Sequence, residues 1–227
     1  MALHTRNRFL LLALVIAVSG CAAAPKAKPP EEAQDLRSVA ALVKSGNLNF
    51  SKGRYGEAAA EFTKAIEKGG GTAEAYTTRG RAYFEMGRYD EALADVGRAI
   101  DLAPRSDTAY NTRGYILGYL GRNEDALRDL DRALEINPRH EGAYNHRGLV
   151  RAAMGQPEQA LADFDRALAI DPDYYEVYAN QGEVYEKIGR RKEAVQAYQE
   201  YLRRASAPRD AGRVEKVRER LRVLQSG

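Results

Sequence analysis

The stretch Asp107 to His140, DTAYNTRGYILGYLGRNEDALRDLDRALEINPRH, decides the fold. Its first half places apolar or aromatic residues at Tyr110, Ile116, Leu117 and Leu120, which is helical spacing, and halts at Gly121, a helix-ending residue. Its second half opens on Glu124 and Asp125, acids that suit the positive end of a helix dipole. Ala126, Leu127, Leu130, Ala133 and Leu134 then form one stripe, and Pro138 closes the segment because proline cannot continue a helix. Two helices of about a dozen residues, joined by a few, make a helical hairpin.

The unit recurs along the chain. Gly46, Gly80, Gly114, Gly148 and Gly182 share one interval of 34 residues. So do Gly53, Gly87, Gly121, Gly155 and Gly189, and so do Ala58, Ala92, Ala126, Ala160 and Ala194. An unbroken period of about 34 residues marks an array of helix-turn-helix units. The columns read as packing rules. Gly114 and Ala126 are small where the two helices of a hairpin approach closely. Ala99, Ala133 and Ala167 are small where one hairpin meets the next, and Pro104, Pro138 and Pro172 end second helices.

These columns resemble the tetratricopeptide repeat (TPR) family. Tyr76, Gly80, Tyr83, Gly87, Tyr89, Ala92, Val96, Ala99 and Pro104 match its succession of large, small, aromatic and helix-ending residues. The resemblance covers residues 39 to 208 and implies an all-α, right-handed solenoid of five hairpins, at 39–72, 73–106, 107–140, 141–174 and 175–208. The end repeats depart from it. The first has Leu42 in the usual Tyr column and Gly70 in the Pro column; the fifth has Tyr201 in place of alanine and Ser206 in place of proline. Terminal repeats lack a neighbour on one side. Beyond them, Val214, Val217, Leu221 and Leu224 make a narrow stripe on a charged helix, expected as a cap over residues 210–225. The basic residues from Arg213 to Arg222 read as its solvated face.

The front of the chain reads as an address. Arg6 and Arg8 form a positive n-region and Phe9 to Val18 an apolar h-region, which makes residues 1–20 a signal peptide too short to span a bilayer as a mature helix. Val18-Ser19-Gly20-Cys21 resembles a bacterial lipobox, which implies a lipid on Cys21, the single cysteine of the chain. No internal disulfide is therefore possible. Ala22, where an aspartate would favour inner-membrane retention, implies by the same resemblance sorting to the outer membrane, facing the periplasm. Residues 21–37, with Pro25, Pro29 and Pro30 and hardly any large apolar side chain, read as a disordered tether. The fourteen residues from Ala22 to Asp35, fully extended, would reach roughly 45 Å at about 3.3 Å per residue.

The chain carries 35 basic and 32 acidic residues. Removal of the signal peptide takes away Arg6 and Arg8 and no acid, so the mature chain is close to neutral, which argues against a nucleic-acid partner. His140 and His146 lack metal-ligand spacing to a second strong ligand, and neither a nucleophile elbow nor a phosphate-binding glycine loop is present. No metal, cofactor or catalytic role is expected.

A binding role suits a solenoid, whose curved face presents one helix per repeat. The resemblance places Asn47, Phe50, Arg81, Phe84, Asn111, Tyr115, Tyr119, Asn145, His146 and Asn180 in the concave groove, with Glu85, Thr112, Leu149 and Glu183 beside them. Of the fourteen tyrosines only Tyr115 and Tyr119 fall at groove positions, four residues apart on one helical face. With Phe84 as a further anchor and Asn111 and Asn145 to pair with a backbone, they suit an extended peptide. The family's clamp for chaperone carboxylates is not carried over: Asn47 is kept, but Val43, Thr78, Thr108 and Thr112 stand at its other places. The expected function is that of a lipid-anchored adaptor for an envelope protein, serving peptidoglycan-enzyme recruitment or pilus and secretion-channel assembly. The opposing class is an enzyme or small-ligand receptor that uses the groove as a pocket.

Two charge columns change together. Arg79, Arg113 and Arg147 share the seventh column and Asp95, Asp129 and Asp163 the twenty-third; in the fifth repeat they become Gln181 and Ala197, and in the first Ser45 and Glu61. The covariation suggests a ladder of ion pairs, each arginine reaching its own second helix or the preceding hairpin. Two solvated columns that merely coincide are the alternative.

Overall fold

A computed structural model of the chain describes residues 31–205 and 207–226. Eleven helices and no strand occur among the described residues. They pair in chain order: α1 (Glu31–Ser51) with α2 (Tyr55–Ala65), α3 (Ala73–Glu85) with α4 (Tyr89–Leu102), α5 (Asp107–Tyr119) with α6 (Asn123–Ile136), α7 (Glu141–Ala153) with α8 (Pro157–Ile170), and α9 (Glu176–Lys187) with α10 (Arg191–Arg204). α11 (Ala207–Ser226) packs on α10. Each second helix also meets the first helix of the next hairpin, which makes the array a solenoid.

The small columns are where the backbones meet. A Cβ on Gly114 would stand 2.7 Å from Leu130 Cγ, and one on Gly148 would stand 2.5 Å from Phe164 Cε1. The turn inside each full hairpin uses a left-handed residue, as at Gly121 with φ +75°, a conformation in which a Cβ is strained. Ala92, Ala99, Ala126, Ala133, Ala160 and Ala167 are fully buried, and each hairpin contributes larger residues such as Val96, Leu130 and Phe164 to a core that runs the length of the array.

The ends differ from the sequence-based boundaries. The tether expected over 21–37 overlaps α1, which is helical from Glu31; residues 1–30, with the signal peptide and Cys21, lie outside the described residues. A segment with few large apolar residues cannot build a core, but Glu, Ala, Gln, Leu and Arg are good helix formers and can extend a helix that is anchored further along. In the first repeat α2 runs into a π-helical turn, Ile66–Gly70, with Gly69 at φ +86°. Gly70, at the place of the usual proline, lets Val39 of α1 come close. The cap expected over 210–225 is α11, three residues longer at its start and one at its end. Its Val214, Val217 and Leu221 are buried against Tyr198 and Tyr201.

Candidate protein-interaction site

The first helices α3, α5, α7 and α9 stand side by side, with the second helices packed behind them. Their free faces make the inner wall of the solenoid. At its centre is an aromatic cluster. Phe84 is buried, with its ring centroid 5.1 Å from Tyr115, 5.0 Å from Tyr119 and 5.7 Å from Tyr89. Phe84 is thus packing beneath the wall, not an anchor offered to a partner. Tyr119 is 62% exposed. Tyr115 is half-buried between Phe84 and the imidazole of His146, whose centroid lies 4.5 Å away, and burial raises its phenol above the usual tyrosine range. Tyr119 is therefore free to meet a partner, while Tyr115 also holds the wall together.

The amides expected to pair with a peptide backbone are largely spoken for. Asn180 Nδ2 donates to Asn145 Oδ1 at 2.7 Å, and Asn145 Nδ2 donates to the Tyr174 hydroxyl at 3.1 Å. Burial, first of all, pushes the Tyr174 phenol up to about 12. Arg213 of α11 donates to Asn180 Oδ1 at 2.5 Å. His146 Nδ1 lies 2.8 Å from Asn111 Oδ1, and burial lowers the pKa of His146 to about 4, so it is neutral at pH 7. Asn111, Asn145 and Asn180 are buried. They form a polar spine that ties α5 to α7, α7 to α9 and α9 to α11, because a buried amide without a partner is costly. Sequence reasoning missed this role. The signal was a second interval, since Asn111 and His146, like Asn145 and Asn180, lie 35 residues apart.

The remaining wall residues spread outward. Asn47 is exposed on α1. Phe50 lies edge-on to Tyr55 at 5.3 Å, and the guanidinium of Arg81 sits 4.8 Å over the Phe50 ring. Towards the other end α11 covers the wall of repeat five. Lys216 pairs with Glu183 at 3.0 Å and Arg220 pairs with Glu186. The face expected to be solvated is thus solvated in part only: Arg213, Lys216 and Arg220 latch onto α9. The Tyr198 hydroxyl joins them through Glu186, and burial together with that bond raises its pKa.

The two charge columns meet. Arg79 donates from Nε and Nη2 to Asp95, both at 2.7 Å; Arg113 does the same to Asp129 at 2.6 and 2.8 Å, and Arg147 to Asp163 at 3.0 and 2.7 Å. Each pair joins the two helices of one hairpin. Asp95, Asp129 and Asp163 are buried. A second rung reaches back: Arg79 Nη1 donates to Thr63 at 3.0 Å, Arg147 Nη1 to Asp131 at 2.7 Å, and Gln181 Nε2 to Asp165 at 2.7 Å. Hydrogen bonding to Asp95 raises the Arg79 pKa, and at Arg147 burial is outweighed by Asp163 and Asp131. These residues brace the wall from behind and do not line it.

Two hollows open on the inner wall, one on each side of the Tyr115–His146 stack. The larger, of ≈ 380 Å³, is bordered by Arg81, Phe84, Glu85, Asn111, Thr112 and His140 among others. The smaller, of ≈ 280 Å³, is bordered by Tyr115, Gly118, Tyr119, His146, Leu149, Val150 and Ala153. No group of three or more metal-ligating side chains occurs among the described residues.

Tetratricopeptide repeat models match residues 73–106, 118–179 and 151–221. The chain is a tetratricopeptide repeat protein. Among solved structures, a thermophilic TPR protein of Thermus thermophilus is 27% identical, with a TM-score of 0.71 over 82% of this chain and 98% of that one. The pilF protein of Pseudomonas aeruginosa is 18% identical, with a TM-score of 0.67 over 84% and 90% of the two chains. PilW, described as a widely conserved type IV pilus biogenesis factor, is 22% identical, with a TM-score of 0.67 over 73% and 77%. At those last two identities the likeness is one of fold. No curated protein matches the chain. TPR arrays are protein-interaction scaffolds, and the inner wall is the surface such an array offers.

Proposed function

We propose that this TPR protein is a lipid-anchored scaffold of a bacterial envelope, which holds a partner protein on the inner wall of its solenoid. The observation that carries the reading is the central wall itself. Half-buried Tyr115 stands between two hollows and exposed Tyr119 borders the smaller one, while Asn145 and Asn180 are tied to neighbouring helices and α11 caps the wall of repeat five. Aromatic side chains beside concave surface are what interfaces use as anchors. The Val18-Ser19-Gly20-Cys21 sequence supports a lipid on Cys21 as the only non-protein group, and Ala22 supports the periplasmic face of the outer membrane. No helix among the described residues is long and apolar enough to cross a membrane. The processes such a scaffold would serve are pilus or secretion-channel assembly and peptidoglycan-enzyme recruitment, the first kept in view by the shared fold of PilW, a type IV pilus biogenesis factor. We read the wall as a binding surface, not a catalytic one.

The test combines anchor and wall. Cys21→Ser should leave an unprocessed or soluble species on fractionation, and Tyr119→Ala in the anchored protein should reduce cross-linking to its envelope partner several-fold. Retention of Cys21→Ser in the outer membrane would overturn the anchor. Undiminished cross-linking of Tyr119→Ala would overturn the site.

A further inference from the structure

The two hollows differ in chemistry, and the difference specifies what the wall takes. The larger one is rich in unused donors. Arg81 is exposed and makes no ion pair among the described residues, not even with Glu85 four residues along the same helix. Asn111 is only 9% exposed; His146 occupies its Oδ1, and its Nδ2 has no hydrogen-bond partner among the described residues. Nδ2 lies 3.7 Å from where a Cβ on Gly142 would stand, so the absence of that side chain keeps room beside it. An amide donor open to the hollow and a guanidinium at its border together offer an acceptor with negative charge two sets of N–H groups. The smaller hollow is apolar. Gly118 stands there in the column that holds Phe50 and Phe84 in the first two repeats, and Leu149, Val150 and Ala153 complete the lining with the tyrosine rings.

Charge along the wall points the same way. Glu183 and Glu186 are neutralised by Lys216 and Arg220 of α11, which closes the acidic end. At the larger hollow, Arg81 is a cation with no carboxylate paired to it among the described residues. Glu85 borders the same hollow, so a second acid next to the first would meet repulsion, and a backbone N–H would meet an acceptor.

Resting on the interaction reading above, we propose that the larger hollow takes the carboxylate of an Asp or Glu side chain from an extended segment of the partner, held by Arg81 and Asn111 Nδ2. The smaller hollow takes an apolar side chain two residues away in the same segment. Only the Tyr115–His146 stack separates the hollows. Side chains two residues apart on one side of an extended strand stand about 6.6 Å from each other, which spans that partition. The donors differ in position from the chaperone-tail clamp, whose residues the chain lacks.

The test uses the full chain in detergent micelles and a positional library of short immobilised peptides. Peptides with Asp or Glu two residues from Phe, Leu or Met should retain the protein, and replacing the acid by its amide should weaken binding about tenfold. Arg81→Glu should abolish that preference with unchanged helicity, since Arg81 is exposed. Retention indifferent to the acid, or an acid preference that survives Arg81→Glu, would overturn the inference and leave the scaffold reading in place. Retention of no peptide would overturn it as well, and loss of the Tyr119-dependent cross-link is the separate result that would remove the scaffold reading.

Discussion

His146 shows how one residue of the wall links stability to pH. Burial pushes its pKa down to about 4, with repulsion from His140 and Arg81 adding to the shift. In an unfolded chain a histidine titrates near about 6.5. Between those values the unfolded chain holds a proton that the folded chain does not. Stability from this residue is therefore complete above about pH 6.5 and is lost as pH falls towards 4, by on the order of 2 kcal/mol for a partly exposed ring. An NMR titration of the imidazole should show no midpoint near 6.5, and His146→Gln should flatten the fall in denaturant midpoint between pH 7 and pH 4.5. A His146 midpoint near 6.5 would show that the ring is solvated. The same residue marks what the sequence did not disclose. The repeat columns assigned His146, Asn111, Asn145 and Asn180 to the inner face, and they are there. A column tells which side of a helix a residue occupies, but not whether the adjacent helix meets it first. Three amides expected to await a partner are tied instead to residues 35 positions away.

At the scale of the helix pair, the ion-pair ladder has one incomplete rung. Arg79, Arg147 and Gln181 each reach a residue 16 positions back, on the preceding second helix. The same step from Arg113 arrives at Gly97, which has no side chain to accept. The Arg113 side chain is 31% exposed, against 15% for Arg79 and 16% for Arg147. Asp101 on the same helix acts on Arg113 without a hydrogen bond. A Cβ on Gly97 would meet nothing within 4 Å, so the position is open. Gly97→Ala should stabilise by about 0.5–1 kcal/mol through helix propensity alone. Aspartate is the poorer helix former, yet Gly97→Asp should exceed Gly97→Ala by roughly 1 kcal/mol, because a hydrogen bond to a charged group outweighs that deficit. The excess should vanish in an Arg113→Met background, as a double-mutant cycle would report. Aspartate less stabilising than alanine would refute the second rung. The hairpins themselves were legible because each column is a steric rule repeated five times. The start of α1 was not, because no repeat column falls on residues 31–37, whose helix-forming residues carry no periodic mark.

For the whole molecule, the array behaves as a line of coupled units, and its stability depends on how the line ends. α11 stands where the first helix of a sixth repeat would. Arg213, Lys216 and Arg220 meet residues 33 or 34 positions back, close to the step that separates neighbouring first helices. Its inward stripe covers Tyr198 and Tyr201, the largest fully buried side chains among the described residues. A chain ending after Ala205 would expose both tyrosines and lose the burial of Val214, Val217 and Leu221. At about 1.5–3 kcal/mol for each fully buried side chain, reduced because an unfolded chain already hides part of that surface, the loss should be on the order of 3–5 kcal/mol. It should not spread evenly. Hydrogen exchange should show α9 and α10 losing protection first, with α3 to α6 close to their values in the full chain, since each repeat contacts only its neighbours. The truncation would also free Glu183 and Glu186 from Lys216 and Arg220. The exposed end of the wall would then turn acidic and gain affinity for basic segments, while the hollow beside Arg81 kept its preference for acids. Uniform loss of protection along the array would instead mean that the five hairpins unfold as one unit, with the cap contributing to all of them equally.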